Sequence, residues 1–300
     1  MQKKYFLILF AFIQVHLLAS DFFLNGQLLI NGYNNNKFFS SDFTYIPNIS
    51  YSYNINNKLD FDISHSFSLN KTYNNYSDEN PFLSNTYRSW FRLSTNTLDL
   101  RIGLQKIAFG SAIFLRPLSW FDSLDFKSNT GQTYGVEALR LIMSPSNLLS
   151  IWFWGINNEG AKPSFGGRIE KSNIGILSGD WGFTYYNDSD SDKHLPYQVG
   201  QFLINYIPDY EFFGEDVLDI DNILGFRENS RFGIDYRYDG FFGFWFESSY
   251  YLMKKYDDVL FNKFSFLTLG FDYTLPFLNG LLLTTETIFS EVDLSINSES

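Results

Sequence analysis

Apolar and polar residues alternate with period two along most of this chain. The stretch from Tyr87 to Asp125 shows the rule best. YRSWFRLS sets Tyr87, Ser89, Phe91 and Leu93 on one side and Arg88, Trp90 and Arg92 on the other. After a turn at Thr95-Asn96-Thr97, LDLRIGLQKIAFG sets Leu98, Leu100, Ile102 and Leu104 opposite Asp99, Arg101, Gly103 and Gln105. Side chains alternate across a strand, so each run predicts a β-strand with one apolar and one charged face. The following SAIFLRPLSWFDSLD is irregular and rich in Pro, Trp and Phe, which predicts a long loop.

The same period recurs before and after this hairpin. FFLNGQLLINGY carries Leu24, Gly26, Leu28 and Ile30 on one face, and Tyr45, Ile49, Tyr51, Tyr53 and Ile55 follow beyond a polar loop at 34–42. Pro47 there calls for a bulge or loose pairing. LDFDISHSFSL alternates most cleanly, with Leu59, Phe61, Ile63, His65, Phe67 and Leu69 against Asp60, Asp62 and Ser64, Ser66, Ser68. A polar segment at 70–85 reads as a second long loop. Further strands are expected at YGVEALRLIM, LLSIWFWG, SFGGRIE, DWGFTYY, RFGIDYRY, FFGFWFESSY, Phe264–Tyr273 and Leu281–Phe289. Trp152 and Trp154 are placed on the inner face, and Asp239-Gly240 is a strong hairpin signal.

Long and short connections alternate, the long ones starting near Asn34, Asn70, Gly110, Gly155, Asn187, Leu252 and Ser290. That pattern predicts an all-β, antiparallel up-and-down transmembrane barrel of about 13–14 strands, with lipid on the apolar face and water on the other. Single-chain bacterial barrels use even strand numbers. Either Gln198–Tyr206 holds one more strand, or the chain stops before its barrel closes.

Composition sharpens this. Aromatics make up 20% of the chain, with 34 Phe and 20 Tyr, as interfacial aromatic girdles require. The net charge of −11 argues against nucleic acid as a partner. With no cysteine, disulfides, thiolate chemistry and Cys-ligated zinc are excluded. Gln2-Lys3-Lys4, the apolar run Tyr5–Leu18 and Leu17-Leu18-Ala19-Ser20 form the three regions of a secretory signal peptide. The expected division is a signal peptide over 1–20 and an exported barrel domain over 21–300. Gly26, Gly103, Gly135 and Gly270 fit the bends and close packing of barrel strands.

The segments RIGLQKIAFG with LRPLSWFDSLD, RFGIDYRYDGFFGFWFE and TLGFDYTLPFLNGLLLTTE resemble the broad porin-like superfamily of Gram-negative outer-membrane barrels. The resemblance is architectural and spans nearly the whole mature chain. It implies a cell outer-membrane location, contact with outer-membrane lipid and lipopolysaccharide, and insertion by a barrel-assembly machinery. Members of that superfamily usually end on a strand with a terminal aromatic. This chain ends SINSES, so further C-terminal strands are expected.

Candidate function follows from the inner face. Arg88, Arg92, Arg101, Arg140 and Arg168 lie on earlier strands, whereas Asp235, Glu247, Asp272 and Glu286 lie on later ones beside Arg237. Facing rows of opposite charge would line a pore for small hydrophilic solutes, or pair into a lattice that plugs the lumen. Phe114, Arg116, Pro117, Trp120 and Asp122 form a candidate constriction loop, packed on Trp90 and Trp152. The two functional readings are passive diffusion and a non-conducting structural or surface-binding barrel. No catalytic, cofactor or metal site is expected. His65 lacks the hydroxyl two positions away that outer-membrane lipases use, since position 67 is Phe, and it reads as lipid-facing or interfacial. The acidic residues near Asp188 and Asp219 form no spaced calcium loop and read as solvated surface.

Overall fold

The computed structural model describes residues 20–35, 38–56, 58–74, 82–121, 135–158, 162–174, 177–189, 228–254, 261–277 and 280–294. Every regular element among them is a strand: β1 (Ser20–Asn35), β2 (Phe38–Asn56), β3 (Leu59–Asn74), β4 (Phe82–Ser94), β5 (Leu98–Gln105), β6 (Val136–Ser146), β7 (Leu149–Ile156), β8 (Ser164–Ile174), β9 (Leu177–Asp188), β10 (Asn229–Asp239), β11 (Gly243–Met253), β12 (Phe261–Leu275) and β13 (Leu281–Leu294). They form one antiparallel sheet in which each strand pairs with its neighbours in sequence, without crossovers. The expected signal peptide up to Ala19, Asp122, Gln198–Tyr206, the acidic segment Asp209–Asp221 and the terminal SINSES lie outside the described residues.

The period-two reading locates all of these strands, and their ends differ in an instructive way. The polar residues at 34–42 are not a loop. β1 and β2 stay paired out to Asn35 and Phe38, leaving a two-residue connection. Likewise β3 and β4 extend into the polar segment, to Asn74 and from Phe82. A ladder satisfies backbone donors and acceptors whatever the side chains, so polarity marks emergence from lipid rather than the end of pairing. At a rise of about 3.3 Å per residue, the 19 residues of β2 run far past a hydrocarbon core of about 30 Å.

One register shift reverses a side chain. Ser66 pairs with Arg88 and Phe67 with Thr86, so Tyr87 is the extra residue of a β-bulge. The bulge brings Tyr87 to the inner face beside Arg88 and Trp90, where it is 4% exposed. Simple alternation places it outside. Pro47 faces Gly26 of β1 but falls in a gap of the β2–β3 ladder, the loose pairing that a residue without an N–H needs.

The outer face is apolar and exposed along the whole sheet: Ile63, Leu98, Ile102, Leu139, Phe153, Ile169, Phe183, Leu269 and Phe289 belong to it. Exposed apolar surface on this scale requires a hydrocarbon environment rather than water. Outer aromatics pack across neighbouring strands, among them Trp181 with Tyr236 and Phe246, and Tyr185 with Phe232 and Tyr250. His65 is exposed on this face beside Phe67.

Candidate lumen and its inserted segment

The segment after β5, residues 106–121, lies against the inner face of the sheet. Its base and its far end supply Ile107, Phe109, Leu118 and Trp120 to the buried cluster, together with Trp154, Ile156, Tyr186, Tyr251, Met253, Phe264 and Phe266 from the wall. Phe109 stacks on Trp154 at 5.7 Å, Trp120 stacks on Tyr186 at 6.2 Å, and Phe121 meets Tyr186 edge-on at 4.8 Å. This aromatic cluster sits where the strands meet the long connections. Trp120 and Phe121 therefore rest on Tyr186, Tyr251 and Trp154 rather than on the expected Trp90 and Trp152. Trp152 only borders the cluster, and Trp90 is covered by the Arg101 guanidinium at 4.3 Å.

Wall carboxylates hold the tip of the segment. Glu247 Oε2 accepts the Ala112 amide at 2.9 Å and Oε1 accepts that of Leu118 at 2.5 Å. Glu286 accepts three successive amides, Ile113 at 2.6 Å, Phe114 at 2.8 Å and Leu115 at 2.7 Å, and also the Trp245 indole N–H at 2.9 Å. Thr268 donates to the Leu115 carbonyl at 2.7 Å, and Ser111 donates to Asp235 at 3.3 Å. Such charge-assisted bonds are about twice as strong as neutral ones. An irregular segment whose amides would otherwise lack partners is thereby fixed on β10–β13. Pro117 and Trp120 are buried, while Phe114 remains 52% exposed.

The ten charged residues placed inward on sequence grounds all share the face that carries this segment, but their roles divide. Arg168 forks onto Asp235 at 2.6 and 3.0 Å and also bonds Glu170. Arg237 bonds Asp239 and reaches Asp272 at 3.4 Å. Glu247 is 0% exposed, so it lies beneath the inserted segment and not on an open path. Asp188, expected as solvated surface, is instead 4% exposed and pairs at 2.6 Å with Arg231, a residue the sequence reading did not single out, whose guanidinium packs on Trp120, Tyr186 and Tyr251. Arg231 precedes Asp235 and Arg237 at the same period, so alternation extended backwards would have found it.

On the opposite flank, Arg92, Arg101 and Arg140 stand in direct register across β4, β5 and β6. Arg92 bonds Asp99 at 2.6 Å and Asp62 at 3.4 Å, and Arg140 covers Trp152 at 5.5 Å.

Inner glycines make room for these groups. A Cβ at Gly166 would enter the Trp154 ring, one at Gly270 the Trp245 ring, and one at Gly233 the Leu118 side chain. At Gly182 it would collide with both Arg168 and Asp235, whose pair crosses over β9 at that point. Gly182→Ala is expected to force that pair apart and destabilise the sheet by about 1–3 kcal/mol, read as a lower urea midpoint for unfolding. Gly103 is needed for a different reason: its φ of +115° is strained for any other residue, and a Cβ would strike the Ser89 carbonyl.

A cavity of about 660 Å³ lies under the segment, lined by Ser111, Arg168, Glu170, Asp180, Asp235 and Arg237 and reaching the short turns at Asn96 and Asn147. A second, of about 400 Å³, is lined by Asn48, Ser64, Ser66, Tyr87, Arg88 and Trp90.

Comparison with solved structures gives OmpF of Salmonella typhi in complex with daunomycin, at 10% identity over 90% of this chain and 78% of that one, with a TM-score of 0.49. OprB of Pseudomonas putida at low pH shows 10% identity over 92% and 89%, with a TM-score of 0.33. A mutant porin of Rh. blastica shows 12% identity over 91% and 98%, with a TM-score of 0.37. No family model and no curated protein matches the sequence. The reading of the sheet as the wall of a membrane barrel rests on this chain's own strand order, its apolar outer face and the segment folded onto its inner one.

Proposed function

We propose that the chain forms the wall of an outer-membrane channel through which small hydrophilic solutes diffuse passively. The observation that carries this reading is the segment 106–121, held on the inner face by Glu247 and Glu286 above a charged lining. A lumen meant only to be filled has no need of a backbone segment fixed by five charge-assisted bonds while an adjoining polar cavity stays open toward the short turns. Arg88, Arg92, Arg101 and Arg140 line the side of the path opposite the segment. Phe114 and Arg116 at its tip narrow the path. Outer-membrane lipid and lipopolysaccharide surround the apolar face, and a barrel-assembly machinery inserts the chain after its export.

Replacing Arg92 and Arg101 with Gln is expected to move the reversal potential under a salt gradient toward cation preference. An unchanged potential in an assembled double variant places these residues off the conducting path. The aromatic cluster at the mouth favours a second reading, in which Trp120, Phe121, Tyr186 and Tyr251 close the lumen and the barrel serves a structural or surface-binding role. Conductance of the assembled protein separates the two.

A further inference from the structure

The apolar residues of the inserted segment fall into two sets. Ile107, Phe109, Ala112, Leu118 and Trp120 are at most 7% exposed, whereas Ile113 and Phe114 at the tip are 40% and 52% exposed. A slack backbone does not account for the exposed pair. The amides of Ile113, Phe114 and Leu115 all converge on Glu286, at 2.6, 2.8 and 2.7 Å, and the Leu115 carbonyl accepts from Thr268 at 2.7 Å. Successive amides that share one carboxylate make a concave backbone nest. The tip thus turns its N–H groups to the wall. Drawing Ile113 and Phe114 out of water would break these charge-assisted bonds, so the hydrophobic effect is overruled there.

The surroundings of this apolar lip say what can cover it. Lipid meets the outer face of the sheet, but the segment lies on the inner one. The rings nearest in the chain are already packed on the wall, Phe109 on Trp154 and Trp120 on Tyr186. No Asp or Glu occurs between 106 and 121, and the wall carboxylates Glu247 and Glu286 face backbone amides. Two residues before Ile113, Ser111 borders the cavity of about 660 Å³. That cavity is polar, and its two arginines are paired, Arg168 with Asp235 and Arg237 with Asp239 and Asp272. A self-neutralised lining of this kind hydrogen-bonds neutral or dipolar groups without favouring either sign of net charge.

We propose that Ile113 and Phe114 bind the apolar side group of small solutes that are neutral or zwitterionic overall, while the cavity beside Ser111 takes their polar part. Apolar contact on a water-filled path favours such a solute in two ways. It removes apolar surface of both partners from water, and it fills a constriction that small hydrated ions wet poorly. The inference names a solute class and rests on the channel reading for its physiological sense, although binding itself does not depend on conduction.

The test uses the full, refolded and heat-modifiable protein, with L-leucine and L-phenylalanine compared against L-serine, all zwitterions at neutral pH. In planar bilayers, leucine and phenylalanine are expected to interrupt the single-channel current saturably, at concentrations at least about tenfold below serine, the ratio given by burying roughly two methylene groups. Ile113→Ser with Phe114→Ser should abolish that difference, Phe114→Ser alone should remove most of it, and Phe114→Leu should keep most of it. All three keep the backbone amides that Glu286 accepts, so assembly is expected to persist. Equilibrium dialysis against labelled phenylalanine reads the same preference without a current. Serine acting as strongly as phenylalanine overturns the proposal, as does an unchanged preference in an assembled serine variant. Binding through these residues without conductance leaves the site and removes the channel, whereas conductance without the preference leaves the channel and removes the site.

Discussion

Deleting Leu115–Asp125 raises single-channel conductance by roughly twofold or more, in a barrel that still assembles. The expectation follows from where the segment is held. Its tip reaches across the inner face to Glu247 on β11, Thr268 on β12 and Glu286 on β13, so its backbone occupies cross-section that water and ions would otherwise fill. Conductance grows with the area of the narrowest point, and removing a whole peptide segment there outweighs any single side-chain change. The strands do not depend on the segment for pairing, because each ladder is made between sequence neighbours. Loss of Leu118, Trp120 and Phe121 uncovers Tyr186 and Tyr251, so lower thermal stability is expected alongside the larger current. Heat-modifiable mobility on gels checks that the deletion has assembled. Unchanged conductance in an assembled deletion would mean that the segment does not set the pore.

Glu247→Leu has the next largest effect. The substitution keeps bulk and removes the acceptor of the Ala112 and Leu118 amides, both in buried residues. Each stranded donor costs about 1–3 kcal/mol, so the tip is expected to lift locally rather than the wall to unfold. Limited proteolysis reads this directly, as new cleavage between 111 and 118, and bilayer recordings read it as a noisier open state. Glu247→Gln retains one carbonyl oxygen and should sit between wild type and Leu. Adding Glu286→Ala removes the acceptor of three more amides and should complete the release. A Glu247→Leu protein with wild-type protease resistance would show that aromatic packing alone fixes the segment.

The strands were legible in the sequence because a lipid-facing wall leaves a simple record. Leu98, Leu100, Ile102 and Leu104 must meet hydrocarbon while Asp99, Arg101 and Gln105 must not, and period two follows. Strand ends were less legible, since Asn34 and Asn35 pair as well as Leu28 does once the ladder leaves the apolar belt. Tyr87 was misplaced because a bulge adds one residue without any mark in composition. The inner face was legible as a set of residues and not as a set of roles. Alternation puts Glu247 and Arg101 on the same side. It does not say that the first meets backbone amides brought from 135 positions away, nor that the second is left without a carboxylate. Those outcomes depend on the path of the irregular segment, which has no period to read. The glycines at 166, 182, 233 and 270 carry a trace of it, since each clears space for a bulky or charged neighbour.

The measurement that bears most directly on the channel is planar-bilayer recording of the full chain, refolded in detergent and shown to be heat-modifiable. Stepwise, ohmic single-channel currents are expected, with a reversal potential under a salt gradient that Arg92→Gln with Arg101→Gln displaces toward cations. An assembled, protease-resistant protein that passes no current would contradict the account and leave the aromatic cluster as the plug of a closed barrel.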